Sequence, residues 1–336
     1  MSQQWQAFVR QWNEPCCLDY QKLNEKENHM LKEHLVSILE TQVRPSFQKH
    51  THPALDKRLQ NGRYVDKSMD FDFHENQTWK QIEVSGFSAI DVIEWIIERA
   101  SAEQLQPVYH MVAPPILIVL DDYESNYKLR GVQLIQAVLR KVEPVTLRRS
   151  GLGNVFLESL FQCLTYVHGE SANPRLVEAS YSCCRDLINL LESETSKERS
   201  RLYEKLVVEG LLLSQSSEML DIQLINMKEV PPIFSELGII SVQYLKPILQ
   251  LICENLQRPY SNMDLKIASA SALLVMLQSC TPRIPAYRGQ IIIGLLNSWI
   301  MVQNDQNDDS QDLRKLLTEN WQLLRKIGGS KVEVRA

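Results

Sequence analysis

Apolar residues recur at helical spacing along most of this sequence. The period is clearest over residues 126–142, 155–164, 264–277 and 312–327, where apolar side chains repeat every three or four positions. Such a stripe covers one face of a helix and is wide enough to pack against neighbouring helices. These segments are therefore predicted to be amphipathic helices, each with one buried face.

The predicted faces are made of aliphatic, aromatic and thiol side chains. They are Leu129, Val132, Ile135, Leu139 and Val142; Phe156, Leu160, Cys163 and Leu164; Leu265, Ala268, Ala272, Val275 and Met276; and Leu313, Leu317, Leu324 and Ile327. On the first segment, Lys128 and Arg130 fall on the opposite face, which is predicted to be solvated.

The prolines that follow residue 100 lie between these apolar segments. Proline is tolerated in the first turn of a helix but removes a hydrogen bond from its interior. The prolines are therefore predicted to separate about a dozen short helices. They are Pro107, Pro114, Pro115, Pro144, Pro174, Pro231, Pro232, Pro247, Pro259, Pro282 and Pro285.

One longer pattern occurs twice. Residues 114–122 and residues 247–255 each give a proline-started apolar helix, followed by a polar turn and a second helix that begins near a basic residue. Paired helices of this kind, repeated every ~40–47 residues, are typical of HEAT repeats. The predicted fold is all-α, an α-solenoid of HEAT-like helical pairs.

The predicted organisation has four parts. Residues 1–40 form an N-terminal helical segment, with Leu31, Leu35, Ile38 and Leu39 on one face. Residues 41–85 have no apolar period and are predicted to be an irregular loop or linker. Residues 86–327 form the HEAT-like solenoid, and residues 328–336 form a C-terminal tail.

Composition excludes several functional classes. The chain has 336 residues, of which 44% are apolar, and a net charge of −5. The apolar share is that of a globular protein, and the negative charge argues against sequence-independent binding to nucleic acid. The first residues lack a secretory signal, and no run of ~18 apolar residues predicts a membrane span. We therefore expect a cytoplasmic and nuclear protein.

The most enzyme-like segment is Ile-Leu-Ile-Val-Leu-Asp-Asp at residues 116–122. A buried strand that ends in two carboxylates can bind Mg²⁺, so an α/β enzyme that uses a metal at Asp121 and Asp122 is one alternative. No phosphate-binding glycine loop follows. We favour a turn between two helices, in which these aspartates cap the next helix or meet Lys128 and Arg130.

Other candidate chemistry is weak. Gly151 and Gly153 lack the third glycine of a dinucleotide loop and indicate a turn that leads into a helix. His50, His52 and His74 lack the partners of a tetrahedral metal set, and the adjacent pairs Cys16–Cys17 and Cys183–Cys184 lack the two-residue gap of zinc and redox motifs. Cys163, Cys253 and Cys280 are predicted to be buried thiols. We predict no catalytic residue, no metal ligand and no cofactor.

Two separate motifs resemble one known family. The first combines Ala-Pro-Pro-Ile-Leu-Ile-Val-Leu-Asp-Asp-Tyr at residues 113–123 with Tyr-Lys-Leu-Arg-Gly-Val-Gln-Leu-Ile at 127–135. The second is Leu-Arg-Arg-Ser-Gly-Leu-Gly-Asn-Val-Phe-Leu-Glu-Ser-Leu-Phe-Gln-Cys-Leu at 147–164. In this order and spacing they resemble the Tel-two-interacting protein two family. The matching positions are Pro114, Pro115, Asp121, Asp122, Lys128, Arg130, Gly131, Gly151 and Leu152.

The resemblance implies a scaffold without enzymatic activity. Members of this family join Tel-two and Tel-two-interacting protein one in the TTT co-chaperone complex. With the heat-shock-ninety chaperone, that complex matures the phosphatidylinositol-kinase-related kinases, which include the TOR kinase and the DNA-damage checkpoint kinases. The resemblance implies direct binding to Tel-two-interacting protein one and indirect contact with the kinases and the chaperone. Another HEAT-repeat adaptor, for transport or phosphatase assembly, is the alternative.

The C-terminal half carries the candidate partner surface. Residues 291–301 are apolar nearly all round the predicted helix. A terminal repeat has one solvated face, so it would not need so much apolar surface. Tryptophan is enriched at binding hot spots, so Trp299 and Trp321 are candidate anchors. The competing interpretation is that both side chains fill the core of the terminal repeat.

Overall fold

A computed structural model describes residues 20–47, 78–81, 86–258, 262–303 and 308–328. Every regular element in these ranges is a helix, so the all-α prediction is confirmed for the described residues. The chain divides into two compact units, Met1–Leu160 and Phe161–Ala336. None of the described helices is long and apolar enough to cross a bilayer.

The first unit begins with α1 (Tyr20–Ile38), a π-helical turn (Leu39–Val43) and α2 (Arg44–Phe47). The predicted apolar face of α1 is confirmed, since Leu31, Leu35, Ile38 and Leu39 are all buried. Residues 41–47 differ from the predicted loop because Val43 and Phe47 extend the same buried face by four and eight residues beyond Leu39. Residues 48–77 and 82–85 of that loop lie outside the described residues.

A 3₁₀ turn (Thr78–Lys80) precedes α3 (Ala89–Arg99), α4 (Ala102–Leu120), α5 (Ser125–Leu139), α6 (Pro144–Ser150) and α7 (Leu152–Cys163). Serines cap the first two of these helices with reciprocal capping boxes, from Ser88 to Asp91 and from Ser101 to Gln104. Helices α4 and α5 pack as an antiparallel pair and α3 packs on α5. The predicted buried face of α7, from Phe156 to Cys163, is confirmed.

The second unit contains α8 (Pro174–Leu191), α9 (Lys197–Lys205), a π-helical turn (Leu206–Leu212), a 3₁₀ turn (Leu213–Ser216) and α10 (Leu220–Leu237). It continues with a 3₁₀ turn (Gly238–Tyr244), α11 (Leu245–Gln257), α12 (Met263–Ser279), a further 3₁₀ turn (Ile284–Tyr287), α13 (Arg288–Val302) and α14 (Asp308–Gly328). Within this unit α10 packs on α12 and α12 on α14, while α11 packs on α13. Helix pair α11–α12 therefore packs on helix pair α13–α14.

The predicted role of the prolines is wrong at five positions. Pro107, Pro114 and Pro115 lie inside α4, and Pro231 and Pro232 lie inside α10. Each interior proline removes one backbone hydrogen bond, but both helices bury apolar side chains along most of their length, and that burial outweighs the loss. The prediction holds at Pro144 and Pro174, which begin α6 and α8. Pro259 lies outside the described residues.

The described cysteines are Cys163, Cys183, Cys184, Cys253 and Cys280, and all five are buried. This confirms the prediction for Cys163, Cys253 and Cys280. Burial raises the pKa of Cys183, Cys184, Cys253 and Cys280, and that of Cys253 is raised to about 12. Cys16 and Cys17 lie outside the described residues.

Candidate interaction surface and the helix pair that carries the motifs

The turn between α4 and α5 contains Asp121 and Asp122, as the sequence predicts for a pair of helices. The Asp122 carboxylate is buried, and it accepts hydrogen bonds from the Lys80 ammonium at 2.9 Å and from the Glu124 amide at 2.9 Å. The partner of Asp122 is thus a lysine from the segment predicted to be a loop, and not Lys128 or Arg130. No strand ends at this turn, which removes the structural basis of the metal-enzyme alternative.

Lys80 is surrounded by aromatic rings. Its ammonium lies 5.2 Å from the ring of Trp79, 4.8 Å from that of Tyr123 and 4.2 Å from that of Tyr127. Burial acts to lower the pKa of Lys80, but the hydrogen bonds that its ammonium donates to the Glu124 and Asp122 carboxylates outweigh burial, so the pKa is raised. Lys80 therefore stays charged and fixes the 3₁₀ turn against the α4–α5 turn.

Lys128 was predicted on the solvated face of α5, and this prediction is wrong. Its side chain is buried and donates a hydrogen bond to the Leu120 carbonyl at 2.8 Å, at the end of α4. Carbonyls at the end of a helix have no partner within the helix, and a cation there also meets the negative end of the helix dipole. Lys128 thus caps the preceding helix of its pair.

The second unit repeats this arrangement. Lys266, near the start of α12, is 1% exposed and donates to the Leu256 carbonyl at 2.9 Å, at the end of α11. Desolvation lowers the pKa of Lys266 to about 8. The same contact therefore occurs at both places where the sequence repeats one pattern: a buried lysine caps the end of the first helix of the pair.

The remaining motif residues support packing in the first unit. Arg130 forms ion pairs with Asp91, at 2.6 Å, and with Glu94, both on α3. Gly131 allows α5 to approach α4 closely, since a Cβ atom there would lie 3.0 Å from the Leu120 Cα. Gly151 has a left-handed φ of 69° and ends α6, so that Leu152 begins α7.

Pro114 and Pro115 lie in the middle of α4, beside the buried Ile116 and Leu117. No group of three or more His, Cys, Asp or Glu residues within the described ranges is placed to hold a metal ion. His50, His52 and His74 fall outside those ranges. The motif residues therefore build the α4–α5 pair and its contacts, except Gly151 and Leu152, which form the junction of α6 and α7.

An exposed apolar face lies on α13 in the second unit. Ile291, Gly294 and Leu295 face the core, but Ile300 is 66% exposed, Ile293 53% and Leu296 47%. Isolated exposed apolar residues are ordinary, whereas several on one helix are typical of an interaction surface. This set, with Trp299 and Met301, is called the α13 face below.

A groove adjoins the α13 face, between α13 and α14. It has a volume of about 300 Å³ and is lined by Leu295, Leu296, Trp299, Leu317, Thr318 and Trp321. Both tryptophans named from the sequence thus line one groove, and Trp299 is 39% exposed. Neither side chain is sequestered in the core of the terminal helix pair.

Sequence reasoning missed Lys80 and the tryptophan beside it. They lie in a stretch without apolar period, and the available signal was an aromatic residue next to a cation among polar neighbours. Trp79 is fully buried and stacks on Phe47, with ring centroids 5.6 Å apart. It also forms a T-shaped pair with Tyr127, whose ring centroid lies 5.2 Å from its own.

Comparison with known proteins gives one family. The Tti2 family model matches residues 10–262. TELO2-interacting protein 2 of Rattus norvegicus is 25% identical over 218 residues, which cover 62% of this chain and 40% of the rat protein. The human protein of the same name is 22% identical over 236 residues, which cover 68% of this chain and 45% of the human protein. The chain thus spans less than half the length of these relatives, and no solved structure matches.

Proposed function

Since this chain belongs to the Tti2 family, we propose that it is a non-catalytic scaffold subunit of the TTT co-chaperone complex. In this role it supports the folding, stability and assembly of phosphatidylinositol-kinase-related kinases together with the heat-shock-ninety chaperone. The rat and human relatives carry the name TELO2-interacting protein 2, which supports Tel-two as a member of the same assembly.

The observation that carries the proposal is the α13 face. Ile293, Leu296 and Ile300 are apolar, exposed and adjacent to a groove lined by two tryptophans. Large apolar side chains with tryptophan anchors are typical of the centre of a protein–protein interface. We assign this surface to direct binding of Tel-two-interacting protein one. The kinases and the chaperone are indirect partners, and neither nucleic acid nor a membrane is one.

The packing of the second unit supports the HEAT-like part of the proposal. Helix pair α11–α12 packs on helix pair α13–α14. The first helices of the two pairs, α11 and α13, contact each other, and so do the second helices, α12 and α14. Pair-on-pair packing of this kind is how α-solenoids bury a continuous core. A scaffold of stacked helix pairs offers long helical faces to its partners, in the cytoplasm and in the nucleus.

Affinity purification of the tagged full chain from its own cells, with mass spectrometry of the stoichiometric partners, tests the proposal. We expect two large helical-repeat proteins together with kinase-related clients. Substitution of Leu296→Asp with Ile300→Asp is expected to remove them, since it places charges in the α13 face.

The matched control is Val145→Asp, which changes an apolar residue of similar exposure in the first unit. Its circular dichroism spectrum and that of the double variant should both equal the wild type. Recovery of unrelated partners, such as transport cargo or a phosphatase subunit, would show that the chain is a different adaptor.

A further inference from the structure

The groove between α13 and α14 has one uncharged wall. From Gly289 to Val302, α13 contains no charged residue at all. The side chains that line the groove from this wall are those of Leu295, Leu296 and Trp299. This wall therefore offers apolar contact, with no charge to pair with a partner.

The opposite edge of the groove is basic. On α14, Lys315 precedes the groove residue Thr318 by three positions, and Arg325 follows the groove residue Trp321 by four. Residues three or four apart are surface neighbours on a helix, so both cations flank the groove. Lys315 and Arg325 are exposed, and Lys326 adds a third exposed cation in the last turn.

The acidic residues of α14 lie elsewhere on the helix. At 100° per residue, Asp312 and Glu319 are roughly 160–180° around the helix from Trp321, away from the groove, whereas Arg325 is about 40° from Trp321. Lys315 is about 120° from Trp321 and has Asp312 three residues before it and Glu319 four after it, so Arg325 is the exposed cation nearest the groove. The groove edge is the basic side.

We propose that this groove binds an amphipathic helix of a partner protein, with an apolar stripe and acidic residues along one flank. This deepens the proposed function and rests on it, because it gives the chemistry of the partner element that meets the α13 face. The 15 residues of α13 span about 22 Å, which suits a partner helix of similar length. Apolar anchors at helical spacing would fill the groove, and acidic side chains would meet Arg325 at the groove and Lys315 farther out on the same flank.

The same charges disfavour a second copy of the chain as the occupant. A two-fold contact places one surface patch against the same patch of the partner copy. Neither the wall on α13 nor the groove side of α14 carries an acidic residue in the described range. Arg325 would therefore find no counter-charge in a symmetric dimer.

The test uses the full chain and two fluorescent 18-residue helical peptides. Both peptides carry leucines at helical spacing, and they differ only in having glutamate or lysine along one flank. By fluorescence anisotropy at 50 mM and 300 mM salt, we expect the glutamate peptide to bind at least ten times more tightly than the lysine peptide. The ratio should shrink at the higher salt concentration, because screening weakens exposed charge pairs.

Reversal of the basic edge by Lys315→Glu with Arg325→Glu is expected to invert this preference. Lys228→Glu, which reverses an exposed cation on α10, is the matched control and should leave it unchanged. Equal binding of the two peptides would overturn the proposal, as would a preference that survives the double reversal. A dimer in light scattering that Ile300→Asp dissociates would assign the surface to a second copy and overturn it as well.

Failure of this inference is distinguishable from failure of the proposed function. If affinity purification recovers the expected partners but the peptides show no charge preference, the function stands and this inference is wrong. If the peptides show the preference and the purification recovers unrelated proteins, the surface chemistry stands and the proposed function is wrong.

Discussion

Replacement of Lys266 by methionine should raise the free energy of unfolding, relative to that of the wild type, more at pH 7 than at pH 9. Lys266 is buried between α11 and α12, where desolvation lowers its pKa to about 8 from an ordinary value of 10.5. Between these two values the unfolded chain holds the proton more tightly than the folded chain. The contribution of Lys266 to the free energy of unfolding therefore rises with pH in that window, and it is lowest below the folded pKa.

The size of the effect follows from the two pKa values. Each unit of difference corresponds to about 1.4 kcal/mol, and from pH 7 to pH 9 the contribution of Lys266 rises by about 1.3 kcal/mol. Methionine has a similar length and no charge, so the variant loses this rise. The Leu256 carbonyl keeps one donor in the variant, because the Ser298 hydroxyl donates to it at 2.7 Å.

The assay is urea unfolding followed by circular dichroism at pH 7, 8 and 9, with wild type and variant measured in parallel. Lys246→Met, which removes an exposed lysine from α11, is the control and should follow the wild type. The buried thiols, whose pKa values are raised, lower the free energy of unfolding as the pH rises through the ordinary thiol pKa, but they do so equally in both proteins, so the difference between the two proteins reports Lys266 alone. A constant difference between wild type and Lys266→Met across the window would refute the assignment.

Two further substitutions test the packing within the units. Lys80→Met is expected to lower the free energy of unfolding by about 3 kcal/mol in urea, because it leaves the buried Asp122 carboxylate without its cation; a loss below about 0.5 kcal/mol would contradict the structure. Gly210→Ala is expected to cost about 2 kcal/mol by thermal unfolding, since its Cβ would lie 2.5 Å from the Tyr181 hydroxyl oxygen. Gly289→Ala, which meets nothing within 4 Å, is its control and should not destabilise the protein.

The helical class could be predicted from the sequence, but several helix boundaries could not. Apolar residues that recur every three or four positions identified buried helix faces, such as the one that contains Phe156 and Leu160. This spacing depends only on the local geometry of the helix. The prediction failed at Pro114 and Pro231, where the helix continues through the proline. The helix is stabilised there because neighbouring helices bury its apolar side chains. Local sequence does not report that contribution.

The candidate surface shows the same limit. Helices α4 and α13 are both apolar nearly all round, yet the described residues of α4 are largely buried while Ile293 and Ile300 of α13 are exposed. The pattern identifies a helix with more apolar surface than one neighbour can cover. It does not say how many neighbours the helix has. Lys128 was misplaced for a related reason, because the carbonyl that it caps belongs to the preceding helix.

The burial of the five described cysteines protects these five positions during site-specific labelling. A thiol reacts as its thiolate, and with a pKa near 12 fewer than about one Cys253 side chain in 10⁴ is ionised at neutral pH. Maleimides and oxidants will therefore modify these positions slowly in the folded protein. A cysteine introduced at the exposed Thr318, which lines the groove, would react far faster, and a fluorophore there would report occupancy of the groove while those five native thiols stay in place.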